Sequence, residues 1–325
     1  MTLFLFHTSI SSYGNEAEKF LGRWALHFEQ GMGWLEVRQE DGYLDADLLW
    51  RGGSVTPVAN VYVSNGKLYV TRTSEVTFKK NSTDERIHTA TNVLSLEGTS
   101  NGLIGTYLQP LRSGDGADIT YVRADKIPSL PAAPDLSLIK FDEPIELIKD
   151  GLSGWKLTDS ENVNGWTVEK GILTNNPVQK DEEKHIRYGN LRTVDEFEDF
   201  NLQLSVNVPK GSNSGVYLKG IYEVQVVDSY GNELDSHNMG ALYSRITPLQ
   251  AAEKKAGKWQ KMDITLFDRH LTVILNGKKI IDNHPVFGVT GGAITSNEFN
   301  PGPILLQGDH GAVSYEDIVI TPIVK

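Results

Sequence analysis

The chain has 325 residues, of which 39% are hydrophobic and 22% are charged, and its formal net charge at neutral pH is −11. The length favours two domains with ordinary apolar cores. The acidic balance argues against nucleic acid or an anionic membrane surface as a partner. The lack of cysteine in the sequence excludes disulfide bonds and a cysteine nucleophile. No stretch is long and apolar enough to predict a membrane-spanning helix.

The beginning of the chain predicts a short tail followed by an antiparallel β-domain. Residues 1–17 are interpreted as an N-terminal tail or the remnant of a signal peptide, because 2–6 are apolar and no basic segment precedes them. From 18 to 126 alternating apolar and polar runs are separated by Asp41-Gly42, Asn65-Gly66 and Asn101-Gly102, which are strong hairpin signals. A chain of hairpins that opens on Gly22-Arg23-Trp24 resembles a lipocalin-like up-and-down barrel, and we expect 18–126 to be an accessory β-barrel domain.

A proline-rich segment and a second group of strands complete the chain. Residues 127–137 hold three of the 13 prolines and predict a linker. After it, apolar and polar residues alternate over 200–208, and Asn276-Gly277 marks another hairpin. Many short strands with turn signals and few helices predict a β-sandwich over 138–325. The fold class is therefore all-β, with a barrel followed by a sandwich.

Two segments of the second domain carry side chains suited to chemistry. Residues 213–230 predict two strands joined at Lys219-Gly220, and strand alternation puts Glu223 and Gln225 on one face, with Asp228 at the strand end. A solvated sheet face is the ordinary explanation of such a pattern. The second segment, 301–315, ends an apolar strand in the sequence Gln-Gly-Asp-His-Gly. Glycines interleaved in a strand often mark a bulge that redirects side chains.

The second domain also resembles a known family over 141–320. The resemblance rests on motifs in a fixed order: LIKDGLSGWK, WTVEKGIL, NSGVYLKG, YEVQVVDSYG, GALY, GKWQKMDI, LNGKKIIDN and LLQGDHG. Together they are similar to the 3-keto-disaccharide hydrolase family, whose fold is that of the concanavalin A-like lectins and glucanases, a jelly-roll sandwich. Lys219 stands where the family commonly has arginine, and lysine is a point charge rather than a planar fork.

The resemblance implies a substrate that is already oxidised at the sugar C3, which a sugar 3-dehydrogenase acting upstream would supply. The ketone acidifies the hydrogen on C2, so that a base can remove it, the C1 substituent can leave by β-elimination, and water can add at C1. Such a route requires a base, donors at the enolate oxygen and an acid for the leaving group. The expected catalytic groups are Glu223, Asp228 and His310, with His310 or Asp228 as the base. Glu223 and Asp228 would raise each other's pKa as like-charged neighbours.

Six further residues are expected to bind the glycoside. Asn213, Gln225 and Gln307 would orient hydroxyl groups, Tyr217 would stack on a sugar ring, and Lys219 would stabilise the enolate charge. The full set of predicted substrate-binding residues is Asn213, Tyr217, Lys219, Gln225, Gln307 and Asp309.

No cofactor is required by the sequence, and no metal ligand is assigned. A divalent metal ion remains an open possibility, because the matching motifs supply nitrogen and oxygen donors, although no spacing typical of zinc ligands is present. The alternative to an enzyme is a lectin-like protein that binds carbohydrate without chemistry. A deep pocket that gathers the acid–base groups would favour the enzyme, and a shallow aromatic groove would favour binding alone. Because the family is often exported, we expect a periplasmic or extracellular location, with the cytoplasm as the alternative.

Overall fold

The computed structural model describes residues 13–81, 84–179 and 185–324. The chain divides into two compact units between Pro128 and Ser129, next to the predicted linker 127–137, except that Gly52–Ser54 group with the second unit. Residues 1–12 of the predicted tail lie outside the described residues, and Tyr13–Glu18 form a short helix, α1. In the described part of the chain, no helix has the length and apolar character that a membrane crossing requires.

The first unit is built on one antiparallel sheet. Its strands are β1 (Gly22–His27), β2 (Met32–Gln39), β3 (Leu44–Trp50), β4 (Gly52–Pro57), β5 (Asn60–Ser64), β6 (Lys67–Asn81), β7 (Asp84–Thr99), β8 (Gly102–Pro110) and β9 (Ala117–Lys126). Their order is β4-β3-β2-β1-β9-β8-β7-β6-β5, so chain neighbours pair from β1 to β4 and from β5 to β9, and β1 pairs with β9. The three predicted hairpins are confirmed, and both Asn65 and Gly66 have positive φ, as a two-residue hairpin turn requires. The lipocalin-like resemblance stays a prediction.

Strand alternation separates a buried face from an outward face in this sheet. In β6, Leu68 and Val70 are buried in the core on either side of Tyr69. In β7, Leu94 and Leu96 are buried in the core on either side of Ser95. At these positions β6 and β7 bury every second side chain, which leaves Tyr69 and Ser95 directed away from the core.

We expect the close pairing of β7 and β8 to make Gly105→Ala strongly destabilising. A Cβ at Gly105 would overlap the carbonyl oxygen of Ser95, so the added methyl group must push two paired strands apart. A cost of about 2 kcal/mol or more in the free energy of unfolding is expected, as for other overpacked sites. The matched control is Gly98→Ala in the adjacent strand, where the nearest heavy atom is the end of the Lys19 side chain at 3.8 Å. Chemical denaturation of both variants measures the difference, and equal stabilities would contradict this account of Gly105.

The second unit contains the remaining strands in two sheets. They are β10 (Lys140–Phe141), β11 (Ile145–Glu146), β12 (Trp155–Leu157), β13 (Trp166–Glu169), β14 (Ile172–Asn175), β15 (Leu191–Thr193), β16 (Phe200–Asn207), β17 (Asn213–Leu218), β18 (Tyr222–Val227), β19 (Trp259–Phe267), β20 (His270–Leu275), β21 (Lys278–Pro285), β22 (Leu305–Leu306) and β23 (Val313–Val324), with a 3-10 turn at Leu136–Leu138. The larger sheet runs β13-β14-β23-β16-β19-β20-β21, with β10 and β11 also paired to β23. The smaller sheet runs β12-β15-β22-β17-β18.

The two sheets pack against each other through buried side chains. The hydroxyl group of Ser214, on the smaller sheet, lies 3.1 Å from that of Tyr315, on the larger one. Trp166 and Tyr315 are almost fully buried. The predicted all-β class, with a sandwich in the second unit, is confirmed.

The hairpin β17–β18 places the functional face of the smaller sheet. Lys219 and Gly220 both have positive φ and form the predicted turn. The register sets Tyr217 opposite Glu223 and Gly215 opposite Gln225. Strand β22 pairs on the other side of β17, and the amide of Gln307 donates to the carbonyl of Gly215 over 3.0 Å. The end of β22 therefore reaches the same face as Glu223 and Gln225.

Candidate active site

A pocket of about 230 Å³ in the second unit gathers seven of the nine predicted site residues. Four come from the hairpin β17–β18, and three follow β22. The seven are Asn213, Tyr217, Glu223, Gln225, Gln307, Asp309 and His310. Two chain segments that are far apart in the sequence, 213–225 and 307–310, thus form one polar concavity, as expected for a ligand site.

Glu223 is buried at this pocket, with 4% of its surface exposed. Its carboxyl group occupies the space where a Cβ of Gly215 would lie, so that only glycine fits at that position of β17. Its backbone amide donates to the Thr290 hydroxyl over 2.9 Å. Burial raises the pKa of Glu223 to about 8, and the negative charge of Asp309 acts in the same direction. Tyr217 and His310 partly oppose that rise. At neutral pH this carboxyl group is therefore mostly protonated.

Tyr217 lies next to Glu223 and is fixed by the backbone. Its hydroxyl donates to the carbonyl of Gly291 over 2.9 Å. A Cβ at Gly292 would lie 2.5 Å from the same hydroxyl, so the segment that holds Tyr217 approaches it closely. Burial raises the pKa of Tyr217 well above its ordinary value, and Glu223 adds to this effect. Tyr217 therefore stays a neutral hydroxyl group at physiological pH.

Asp309 and His310 form a hydrogen-bonded pair at the pocket, with close to half of each side chain exposed. The distance from Nδ1 of His310 to Oδ1 of Asp309 is 2.7 Å. This bond raises the pKa of His310. Burial acts to raise the pKa of Asp309, but the hydrogen bond to His310, the electrostatic attraction to His310 and smaller contributions together outweigh burial, so the pKa is lowered. Because an ionised carboxylate only accepts, Nδ1 is the donor and Nε2 is left for a ligand.

Carboxamide groups provide further hydrogen-bonding capacity. The buried oxygens Oδ1 of Asn213 and Oε1 of Gln307 have no hydrogen-bond partner among the described residues. A buried carbonyl oxygen without a donor costs free energy, which a ligand hydroxyl group would recover. Oε1 of Gln225, in contrast, accepts from the amide of Val226 over 3.0 Å. Asn213 and Gln307 are thus the carboxamides with acceptor oxygens still to be satisfied.

Asp228 and Lys219, the other two predicted site residues, do not line the pocket. Asp228 follows the end of β18, on the opposite side of the alternation from Glu223, and its carboxylate accepts from the amide of Gly211 over 3.0 Å. The expected pairing of Glu223 with Asp228 is therefore replaced by the pairing with Asp309. Lys219 is 2% exposed in the hairpin turn, and its ammonium group lies 2.9 Å from the Glu198 carboxylate. It is engaged in this ion pair and is not among the residues that line the pocket.

Two polar residues of the pocket were missed in the sequence. Tyr243 lines it, and its backbone amide donates to the carbonyl of Glu223 over 2.9 Å. Asn190 also lines it, and its side-chain oxygen accepts from the amide of Gly308 over 2.8 Å. Tyr243 belongs to the GALY motif and Asn190 to a polar loop, but nothing in strand periodicity connects either position to Glu223.

Among the residues that the structure describes, no group of three or more histidine, aspartate or glutamate side chains has an arrangement that would hold a metal ion. Glu223, Asp309 and His310 share the pocket, but Asp228, the fourth expected donor, is elsewhere. Whether a divalent ion binds at this site stays an open question for experiment.

A comparison with known families identifies the second unit. The profile of the 3-keto-alpha-glucoside-1,2-lyase-like domain matches residues 143–321, which is more than half of the chain. The chain belongs to this family, as the motifs of the second domain predicted. It is therefore a carbohydrate-active protein of the glycoside-hydrolase kind.

Solved structures with a similar chain course include bacterial carbohydrate-active proteins. Two candidate glycosyl hydrolases from Parabacteroides distasonis ATCC 8503 are 27% and 26% identical, with TM-scores of 0.44 and 0.41. The alignments cover 57% and 55% of this chain, and 92% and 98% of those chains. A carbohydrate binding module from Bacillus subtilis is 11% identical, with a TM-score of 0.32, 51% of this chain covered and 93% of that chain. No curated protein sequence matches the chain.

The raised pKa of Glu223 predicts a pH-dependent stability that Glu223→Gln removes. The folded state holds this proton up to about pH 8, whereas the unfolded chain releases it near the ordinary value of 4.5. Between these two values the free energy of unfolding falls as the pH rises, by up to about 1.4 kcal/mol per pH unit. Unfolding of Glu223→Gln should therefore depend less on pH, with a higher melting temperature than the native chain at pH 8. The control is Glu233→Gln, which changes an exposed glutamate of the same unit. If the free energy of unfolding of Glu223→Gln changed with pH as steeply as that of this control, the raised pKa of Glu223 would be contradicted.

Proposed function

We propose that this pocket cleaves 3-keto-glycosides by removal of the C2 proton, β-elimination of the C1 substituent and addition of water. Membership of the 3-keto-alpha-glucoside-1,2-lyase-like family supports the substrate class. The observation that carries the proposal is the presence, in one pocket, of a buried carboxyl group that is neutral at pH 7 and an aspartate-bound histidine. This combination supplies a proton donor and a base in two different environments, which acid–base chemistry at one pH requires.

His310 is the base of the proposed reaction. Its Nδ1 donates to Asp309, so the neutral ring presents Nε2 with its lone pair to the substrate. Nε2 takes the proton from C2, and the negative charge of Asp309 stabilises the imidazolium that forms. Asp309, which the sequence assigned to substrate binding, supports the base in this proposal.

Glu223 is the donor to the oxygen on C3. When the C2 proton leaves, the electrons of the C2–H bond form a C2–C3 double bond and the ketone oxygen becomes an enolate. A neutral, buried carboxylic acid donates a strong hydrogen bond to such an oxygen, because the surrounding protein has a low dielectric constant. Tyr217, held by Gly291, keeps the carboxyl group of Glu223 in place.

The elimination and the hydration then use the same groups. The enolate reforms the ketone, a C1–C2 double bond forms, and the bond from C1 to the leaving oxygen breaks. The imidazolium of His310 returns its proton to that oxygen. Water adds its hydroxyl to C1 and a proton to C2, which gives the free 3-keto sugar. Asn213 and Gln307 would accept hydrogen bonds from sugar hydroxyl groups through their buried oxygens.

Release of sugar from a 3-keto-glucoside tests the proposal directly. His310→Ala should lower kcat by about 10²–10⁴-fold, because general-base catalysis is lost. Asp228→Asn is the matched control, since Asp228 lies outside the pocket and asparagine still accepts from Gly211, and it should keep the native rate. The same assay with a chelator decides whether a divalent ion takes part. A native chain that binds the substrate but releases no sugar would favour the lectin-like alternative, and an active His310→Ala would overturn the role of His310.

The pH dependence separates the donor from the base. Activity should fall below the raised pKa of His310, where the base is protonated, and fall again above about pH 8, where Glu223 loses its proton. Glu223→Gln keeps a donor that does not titrate, so we expect a lower rate, by about tenfold or more, without the decline near pH 8. Glu223→Met removes the donor at similar size and should lose at least as much activity. A Glu223→Gln variant as inactive as His310→Ala would instead make Glu223 the base.

A further inference from the structure

The outward face of the first unit carries a row of hydroxyl-bearing side chains across five neighbouring strands. The register sets Tyr62 opposite Tyr69, and Tyr69 opposite Ser95. It continues with Ser95 opposite Thr106, and Thr106 opposite Tyr121. Directly opposed residues of antiparallel strands lie on the same face of the sheet. The row therefore forms a continuous surface with tyrosines at both ends and small hydroxyl groups between them.

The middle of this row is the floor of a groove of about 540 Å³. Ser95 and Thr106 line it, and Tyr121 borders it with 78% of its surface exposed. At the other end, the rings of Tyr62 and Tyr69 stack with their centroids 5.1 Å apart and an angle of 15° between them. Three strand spacings separate Tyr69 from Tyr121, which is roughly 14 Å. We call this surface, defined by these five residues, the tyrosine groove.

The charged side chains of the tyrosine groove compensate one another. The ammonium group of Lys67 lies 3.0 Å from the Glu97 carboxylate, and Nη1 of Arg123 lies 2.7 Å from Asp125. His27, which also lines the groove, has a pKa lowered by burial. The groove thus offers many hydrogen-bonding groups without a net charge. A neutral, hydroxyl-rich ligand complements it better than an anion or a cation.

A wet sheet face also displays polar side chains, and scattered exposed apolar residues are common. The tyrosine groove differs from such a face because aromatic rings flank a concave floor of hydroxyl groups. A tyrosine ring offers an apolar plane with a polar tip, which matches the C–H face and the hydroxyl edge of a sugar. Ile104 and Ile119 extend the apolar surface beside Tyr121, with 44% and 55% exposed.

We propose that the tyrosine groove is a second carbohydrate-binding site, which takes a neutral oligosaccharide with a sugar ring on Tyr121 and hydroxyl groups on Ser95 and Thr106. The occupant is argued from the balanced charges and from the carbohydrate-active family of the second unit. It does not rest on the reaction assigned to Glu223 and His310. The first unit would then hold a glycan rather than serve only as a spacer.

Calorimetric titration of the full chain with cellohexaose, maltohexaose, laminarihexaose and xylohexaose tests the proposal, with an anionic hexagalacturonate as the comparison. The native chain should bind at least one neutral hexasaccharide and bind hexagalacturonate more weakly. Tyr121→Ala should weaken that binding about tenfold, since one stacking surface is lost. Thr106→Tyr, which fills the floor with a residue that strands accept well, should abolish it.

Two control variants locate the bound sugar. Tyr43→Ala removes a tyrosine that is 61% exposed in the turn between β2 and β3 of the same unit, and should bind as the native chain does. Gln225→Ala alters the pocket of the second unit and should also leave the affinity unchanged. The proposal is overturned if no neutral hexasaccharide binds, if Tyr121→Ala binds normally, or if Gln225→Ala alone abolishes binding. A dimer in sedimentation that Tyr121→Ala dissociates would assign the face to a second copy of the chain and would also overturn it.

Discussion

The packing of the Glu223 carboxyl group into the space left by Gly215 determines the chemistry of the pocket. A side chain at residue 215 would overlap that carboxyl group and force it out toward water. In water its pKa would be ordinary and the group would be a permanent anion. Burial over Gly215 keeps it protonated near neutral pH, with its pKa at about 8. The missing Cβ of one residue thus makes the difference between a surface charge and a neutral acid.

The pair formed by Asp309 and His310 depends on a second set of close approaches. A Cβ at Gly308 would overlap the carbonyl oxygen of Gly189 and would lie 2.7 Å from Nε1 of Trp166. Glycine is therefore needed where the chain leaves β22, and this exit brings the next two side chains to the pocket. The adjacent residues bond to each other at the mouth, half exposed, while Glu223 lies buried below. The two environments act on the two groups through different physical causes. The hydrogen bond to Asp309 raises the pKa of His310, and burial raises the pKa of Glu223.

Local sequence patterns predicted the parts of the structure that depend on local geometry. The turn at Asn65-Gly66 follows from two residues that accept positive φ, and the turn at Lys219-Gly220 follows from its glycine, although lysine rarely adopts positive φ. The common face of Glu223 and Gln225 follows from strand alternation. The same alternation directs residue 228 to the opposite side from residue 223, so the expected pairing of Glu223 with Asp228 required a bulge that the structure does not have between Tyr222 and Val227. The ion pair of Lys219 with Glu198 and the arrival of Tyr243 at the pocket are tertiary contacts that no periodicity encodes.

Most of the pocket comes from two short stretches of chain, 213–225 and 307–310. The proposed donor Glu223 and its neighbour Tyr217 lie on the first stretch, and the proposed base His310 with Asp309 lies on the second. In recombination between related genes, a crossover anywhere in the 81 residues from 226 to 306 would pass these halves on separately. The proposed chemistry would thus be inherited in two blocks, so that the segment with Glu223 could be exchanged for another while Asp309 and His310 keep their local geometry.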